Sequence, residues 1–200
     1  MRTRKRGNLK QFLDWILEWI FPSTCGVCGK ISADSLCKKC EIKLRKLEVC
    51  KKQIKIRQEE DYTLFYIFSY TGIIREKLLE FKFKDHAYLA KMFVKILLGN
   101  EKICRFLKSY DIIIPVPAYP TKKWERGYNQ TECIIRELGK KTKNGSMIFG
   151  ILKKVKNTKR QSSLKREDRK TNLRNAYKVK KQDKILGKKI LILDDIYTTR

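Results

Sequence analysis

The sequence predicts an α/β fold in which a small four-cysteine metal module precedes a mostly parallel sheet with flanking helices. Three observations predict it. Two CxxC pairs, Cys25/Cys28 and Cys37/Cys40, stand eight residues apart near the N-terminus. Two short apolar runs, Ile-Ile-Ile-Pro-Val at 112–116 and Ile-Leu-Ile-Leu at 190–193, have the composition of strands buried on both faces of a parallel sheet. Stretches of helical periodicity alternate with the strands, which is the pattern of βαβ units.

Each element follows in order. Residues 1–10 are basic and 11–21 largely apolar, but Asp14 and Glu18 interrupt the run on one helical face while Phe12, Leu13, Ile16, Leu17 and Ile20 cover the rest. That predicts an amphipathic helix within a first unit, 1–24, stopped by Pro22. It is too short to span a bilayer and lacks a small-residue cleavage site, so it is neither anchor nor signal peptide. It docks on its own protein or makes peripheral contact with a membrane surface through its basic flank. A second unit, 25–60, holds the cysteines and a charged linker, loosely helical around Ile42, Leu44 and Leu47.

The third unit is 61–200. Its expected elements are an aromatic-rich strand at 64–70, helices at 73–83 and 88–98, a strand at 112–116 and a helix at 129–139. A strand at 147–152, a polar stretch at 153–174, a brief strand from Val179 and a buried strand at 190–193 follow. Leu78, Leu79 and Phe81, then Leu89, Phe93, Ile96 and Leu97, are the expected buried faces of the first two helices.

Composition narrows the class. With 200 residues and 42% hydrophobic content the chain has material for a packed domain and a small module, not a disordered tail. Lys and Arg number 48 against 21 Asp and Glu, a net charge of +27. Such a chain attracts polyanions, nucleic acid or phosphorylated ligands, although bulk charge specifies no site. Seven cysteines, an odd number, make a poor disulfide framework and suit metal binding in a reducing cytoplasm.

Two constellations carry chemistry. A CxxC turn sets two thiolates on one side of an ion and the second pair closes the other, so Cys25, Cys28, Cys37 and Cys40 make a closed, structural Zn²⁺ site; four cysteines also suit an iron–sulfur cluster. The second is Asp194-Asp195 at the end of the 190–193 strand, followed by Thr198-Thr199. The carboxyl edge of a parallel sheet is where open α/β folds bind ligands. Two adjacent carboxylates there can accept the hydroxyls of a ribose or sit near hydrated Mg²⁺, and the threonines can open a phosphate-cradling loop. The plain alternative is a solvated turn after a core strand.

Four stretches together carry a family pattern. They are Phe21-Pro22 with the CxxC pairs; Phe68-Ser-Tyr70-Thr-Gly72 continued by 78–85; Ile114-Pro-Val-Pro117-Ala-Tyr-Pro120 with Glu125-Arg126-Gly127-Tyr128-Asn129-Gln130; and 157–177 followed by 193–199. With them the sequence resembles the ComF family, competence-associated proteins with a zinc ribbon and a type I phosphoribosyltransferase domain. The resemblance implies a phosphoribosyltransferase-like enzyme that binds 5-phosphoribosyl 1-diphosphate with Mg²⁺. Asp194 and Asp195 would hold the ribose hydroxyls, as the catalytic pair, and Thr198 and Thr199 would begin the 5′-phosphate loop. Pro115, Val116 and Pro117 would lie at the diphosphate. Lys159 and Arg160 would belong to a mobile cationic loop, while Arg126, Asn129 and Gln130 would touch phosphate or cap a helix. Its implied partners are single-stranded DNA and the DNA-uptake and helicase machinery.

Two departures stand out. Cys50 is single where the family has a second cysteine pair. Arg200 ends the chain at a position where the family continues with Gly, a small residue and Thr, which predicts an incomplete, truncated phosphoribosyltransferase-like sheet and weak or absent binding of the diphosphate. A different class of function is also open, a non-catalytic single-strand DNA-binding or adaptor module using the basic surface and stacking aromatics, as is an inactive product.

Overall fold

The computed structural model describes residues 19–20, 22–56, 61–142, 147–159, 164, 168 and 171–197. The expected N-terminal amphipathic helix lies mostly outside them; Trp19 and Ile20 are helical and exposed. The elements are α1 (Lys38–Arg45), β1 (Glu48–Ile56), β2 (Asp61–Phe68), α2 (Gly72–Phe83), α3 (Leu89–Leu98), α4 (Glu101–Lys108), β3 (Ile112–Pro115), α5 (Pro120–Arg126), α6 (Gln130–Thr142), β4 (Leu152–Lys154), β5 (Tyr177–Val179) and β6 (Ile190–Leu193).

A parallel pair organises the main body. β3 and β6 run in register from Ile112 opposite Ile190 to Pro115 opposite Leu193. On β3's other side Ile113 makes a parallel bridge to Met147. β3 is buried along its whole length, as its apolar composition predicts. β6 differs from the expected buried strand: Ile192 is 57% exposed, so only one of its faces is covered by the described residues. The expected strand at 147–152 shrinks to the Met147 bridge, and the chain pairs again only at β4, antiparallel to β5.

The stretch expected as a linker holds two elements, α1 and then β1, and β1 forms an antiparallel hairpin with β2. Its charges hid it: Lys51 and Lys52 face solvent, so no two-residue apolar alternation marks the strand. Phe65 of β2 stacks on Phe106 of α4 at 4.5 Å, fastening the hairpin to the helical layer. Helices α4 and α5 were not expected, since eight or fewer residues rarely form a stable helix alone. Here Asn100 caps α4, its side-chain oxygen accepting from the N–H groups of Lys102 and Ile103. α5 starts with Pro120 and ends at Gly127, whose φ of 73° only glycine adopts without strain.

The described residues form two apolar clusters, a small one at Ile112, Ile114 and Ile151 and a larger one that joins the helices to the N-terminal module. Phe81, fully buried on α2, packs its ring 5.7 Å from Phe93 and 5.8 Å from Tyr128. Around it lie Leu89, Met92 and Ile96 of α3 and Ile134, Ile135 and Leu138 of α6. Cys25, Leu36, Cys40 and Leu44 of the N-terminal module belong to the same core.

Candidate metal centre and strand-end site

The four cysteine sulfurs converge. One Sγ each from Cys25, Cys28, Cys37 and Cys40 lies within 4.8 Å of the others, and Cys28 and Cys37 are 4.0 Å apart. Four thiolates about 2.3 Å from one zinc ion sit roughly 3.8 Å from each other, so the donors fit a tetrahedral ion. Local backbone bonds bend the chain to this shape. Gly29 N–H donates to the Cys25 carbonyl at 2.8 Å, Cys25 N–H to Lys30 at 2.8 Å and Gly26 N–H to Ser35 at 2.9 Å. Cys37 is the N-cap of α1 and Cys40 lies in its first turn, at the end of the helix that favours negative charge.

The thiols are electrostatically unequal. Burial pushes Cys25 up, but the Cys37, Cys28 and Val27 N–H groups outweigh it and bring the thiol down to about 6. Burial and the neighbouring sulfurs push Cys40 up to about 12. A bound metal would remove that mutual repulsion and release protons.

The module is tied to α3. A side chain at Gly26 would meet Leu89 and Met92 within 3 Å, so the first CxxC turn sits directly on that helix. Lys95 bonds Asp34 at 2.7 Å and the Leu36 carbonyl at 3.0 Å, and Arg45 donates to the Gly99 carbonyl at 2.7 Å.

The second constellation forms at the carboxyl end of β6. The Val116 N–H donates to the Leu193 carbonyl at 3.0 Å, which sets Pro115-Val116-Pro117 beside Asp194 and Asp195. Lys82, at the end of α2, pairs with Asp195 at 2.6 Å, with both side chains largely buried. Packing around its carboxyl and the adjacent Asp195 charge push Asp194 up to about 6; the residue as a whole remains open to water, which moderates the rise. Burial, then the Asp194 charge, raises Tyr177. Lys154 lies over the Tyr177 ring at 5.5 Å; burial and the charge of Lys122 lower its pKa while Asp194 opposes them. A pair of carboxylates thus sits near lysines from two separate elements, Lys82 of α2 and Lys154 of β4. This arrangement suits a ligand that brings both hydroxyl donors and anionic groups.

The expected site residues divide. Asp194, Asp195, Pro115, Val116 and Pro117 come together at this strand end. Arg126 is nearby, its guanidinium 5.3 Å from the Phe83 ring. Asn129 and Gln130 are buried and hold the scaffold: Asn129 Nδ2 donates to the Val116 carbonyl at 3.0 Å and its Oδ1 accepts from Thr131 N–H, while Gln130 Nε2 donates to the Phe81 carbonyl at 3.2 Å. These bonds tie the start of α6 to the Val116 turn and to the end of α2. Lys159 is exposed, its backbone paired with the Asn172 side chain. Arg160, Thr198 and Thr199 lie outside the described residues. Lys82, Lys122 and Lys154 escaped the sequence reading, because in a chain with 48 basic residues no single lysine stands out. For Lys82, its place within the 78–85 stretch of the family pattern was the available hint.

No family model matches the chain. It is 30% identical over 123 residues to Competence protein F of Haemophilus influenzae, a match that takes in 60% of this chain and 53% of that protein. It is 26% identical over 187 residues to Competence protein ComFC of Streptococcus pneumoniae, across 93% of this chain and 73% of the relative. These relatives support assignment to the ComF family. DNA utilization protein YhgH of Salmonella typhimurium is 26% identical over 139 residues, 68% of this chain and 60% of that one. The chain spans about half the length of the Haemophilus protein in that match. Among the described residues no helix is long and apolar enough to cross a membrane.

Proposed function

We propose that this ComF protein serves DNA uptake or utilisation, that its strand-end site binds 5-phosphoribosyl 1-diphosphate, and that its four cysteines hold structural zinc. The relatives, named as competence and DNA utilisation proteins, support the first part. The carboxylate pair at the end of β6, ringed by Lys82 and Lys154, is the observation that carries the second.

The residues divide the work as follows. Asp194 and Asp195 accept hydrogen bonds from the two ribose hydroxyls and favour positive charge developing at the anomeric carbon. Lys82 and Lys154 neutralise the anionic groups. The Val116 turn, fixed by Asn129 and Thr131, positions the diphosphate. Lys159, Arg160, Thr198 and Thr199 extend the site by analogy with the family. Lys82 already occupies Asp195, so Mg²⁺ would enter with the diphosphate and rest on Asp194. The closed thiolate cluster has no open coordination position, so zinc there supports folding and not a chemical step.

Isothermal titration with the Mg²⁺ complex of the diphosphate tests the reading. Saturable, weak binding is expected, with Asp195→Asn losing about tenfold in affinity, roughly the 1.4 kcal/mol of one hydrogen bond to a charged group. Equal affinity in the variant, or no saturation at millimolar ligand, contradicts it.

A second reading, a non-catalytic binder of single-stranded DNA, is favoured by the net charge of +27 and by Trp124, 87% exposed on α5 beside Lys122, Lys123 and Arg126. A steep, linear loss of affinity for oligonucleotide with log salt concentration supports it; salt-independent or absent binding removes it.

A further inference from the structure

Beside the strand end, the end of α2 and the end of α5 enclose an open cavity of about 400 Å³ lined by Lys82, Phe83, Lys84, Asp85, Glu125, Arg126 and Gly127. Neither the carboxylate pair nor the thiolate cluster uses it. Phe83 is the only aromatic residue of the lining among the described residues and is 49% exposed, an unusual position for a side chain with no polar atom. The Arg126 guanidinium covers part of the ring at 5.3 Å, so an aromatic plane and a cationic plane are presented together. Lys84, 65% exposed, adds a second positive charge at the rim and reaches Glu80 at 3.7 Å. Lys82 ties the cavity to Asp195. Asp85 and Glu125 are hydrogen-bond acceptors when ionised. The backbone around them is tightly turned: Asp85 has φ 55° and Gly127 φ 73°, with the Asp85 carboxylate 3.9 Å from where a Gly127 side chain would begin.

We propose that this cavity is a nucleotide subsite, with the base against Phe83 and the phosphate on Lys84 and Arg126. Base–aromatic stacking together with cations that follow the phosphate is the chemistry by which proteins hold single nucleotides and single strands. The two carboxylates accept hydrogen bonds and donate none, so bases with an exocyclic amine are preferred, cytosine over thymine. The subsite deepens the strand-end reading, since Lys82 places it next to the ribose carboxylates, but nucleotide binding itself does not depend on diphosphate binding. The occupant is a nucleotide unit, either free or as part of single-stranded DNA.

Calorimetry with dCMP and dTMP, and fluorescence anisotropy with labelled single-stranded oligo(dC) and oligo(dT) at slightly alkaline pH, test the proposal on the full chain. Phe83→Ala is the main variant, checked by an unchanged melting temperature, and Phe83→Trp is its companion. The expected result is about a tenfold loss of nucleotide affinity in Phe83→Ala, recovery in Phe83→Trp and weaker binding of thymine than cytosine. Saturable dCMP binding assigns the free nucleotide; oligonucleotide binding that depends on Phe83 without dCMP binding assigns the strand. If both ligands bind Phe83→Ala as they bind the unaltered protein, or neither binds at all, the proposal is wrong. Asp195→Asn separates the two sites: it should weaken the diphosphate and spare the nucleotide, whereas Phe83→Ala should do the reverse.

Discussion

The thiolate cluster and the strand-end site solve the same problem, bringing charged or reactive side chains together, by opposite routes. The cluster is local. Its four ligands lie within residues 25–40, and short backbone bonds among Cys25, Gly26, Gly29, Lys30 and Ser35 shape it. The strand end is assembled from distant pieces: Lys82 from α2, Val116 after β3, Lys154 from β4, and Asp194 and Asp195 after β6. A local site depends first on its own turn, even where that turn also packs on a helix, as here on α3. A dispersed site needs the whole core to be right, so damage far from it should still reach it.

The largest expected effect tests the local half. Cys40 is buried in the common core as well as being a ligand. Cys40→Ser, or removal of metal with a chelator, should lower the melting temperature by about 10 °C or more, corresponding to roughly 3–5 kcal/mol in a chain of this size. Metal content measured alongside should drop in parallel. An unchanged melting curve after chelation would mean that the sulfurs stand together without an ion.

Next comes the dispersed half. Phe81→Ala removes a fully buried ring between Phe93 and Tyr128, at a cost of about 3–5 kcal/mol by denaturant melt. Because the Phe81 carbonyl also receives Tyr128 and Gln130, the start of α6 loosens with it, and strand-end binding should weaken while metal content stays constant. Asn129→Ala is milder, about 1–2 kcal/mol, since it loses a helix cap and one of the two bonds holding the Val116 carbonyl, the other coming from Thr131. If metal content falls with either variant, the two regions are not independent in the way their construction suggests.

The smallest effect is a pH dependence at Asp194. Its carboxyl is raised from 3.8 to about 6 by packing and by Asp195, so the folded protein favours the protonated form. Stability from this group is fully present below pH 3.8 and is lost as pH rises through about 6. Asp194→Asn removes that loss. Its melting temperature should match the unaltered protein near pH 4 and exceed it slightly above pH 6, the difference being limited by the exposure of the group. A difference that grows toward acid instead contradicts the assignment.

The same contrast explains what could be read from the sequence. The cysteine spacing announced the cluster because the signal and the site occupy the same few residues. β3 was legible because its residues are buried on both sides, and β6 because its apolar run is unbroken, although Ile192 turned out to face water. β1 was not legible: Lys51 and Lys52 make a strand look like a linker when only part of one face is covered. Asn129 and Gln130 looked like phosphate contacts because polar residues at a helix start serve ligands and caps equally well. Their bonds to the Val116 and Phe81 carbonyls depend on the fold and could not be read from the sequence. Lys82 and Lys154 gain meaning only when the fold sets them beside the Asp194–Asp195 pair.

Hydrogen–deuterium exchange with and without the Mg²⁺ complex of phosphoribosyl diphosphate tests the central claim most directly. Ligand should slow exchange around residues 115–118, the start of α6 and residues 194–197, and leave residues 25–40 unchanged. Protection confined to the cysteine module, with none at the ends of β3 and β6, would contradict the assignment of the strand end as the ligand site.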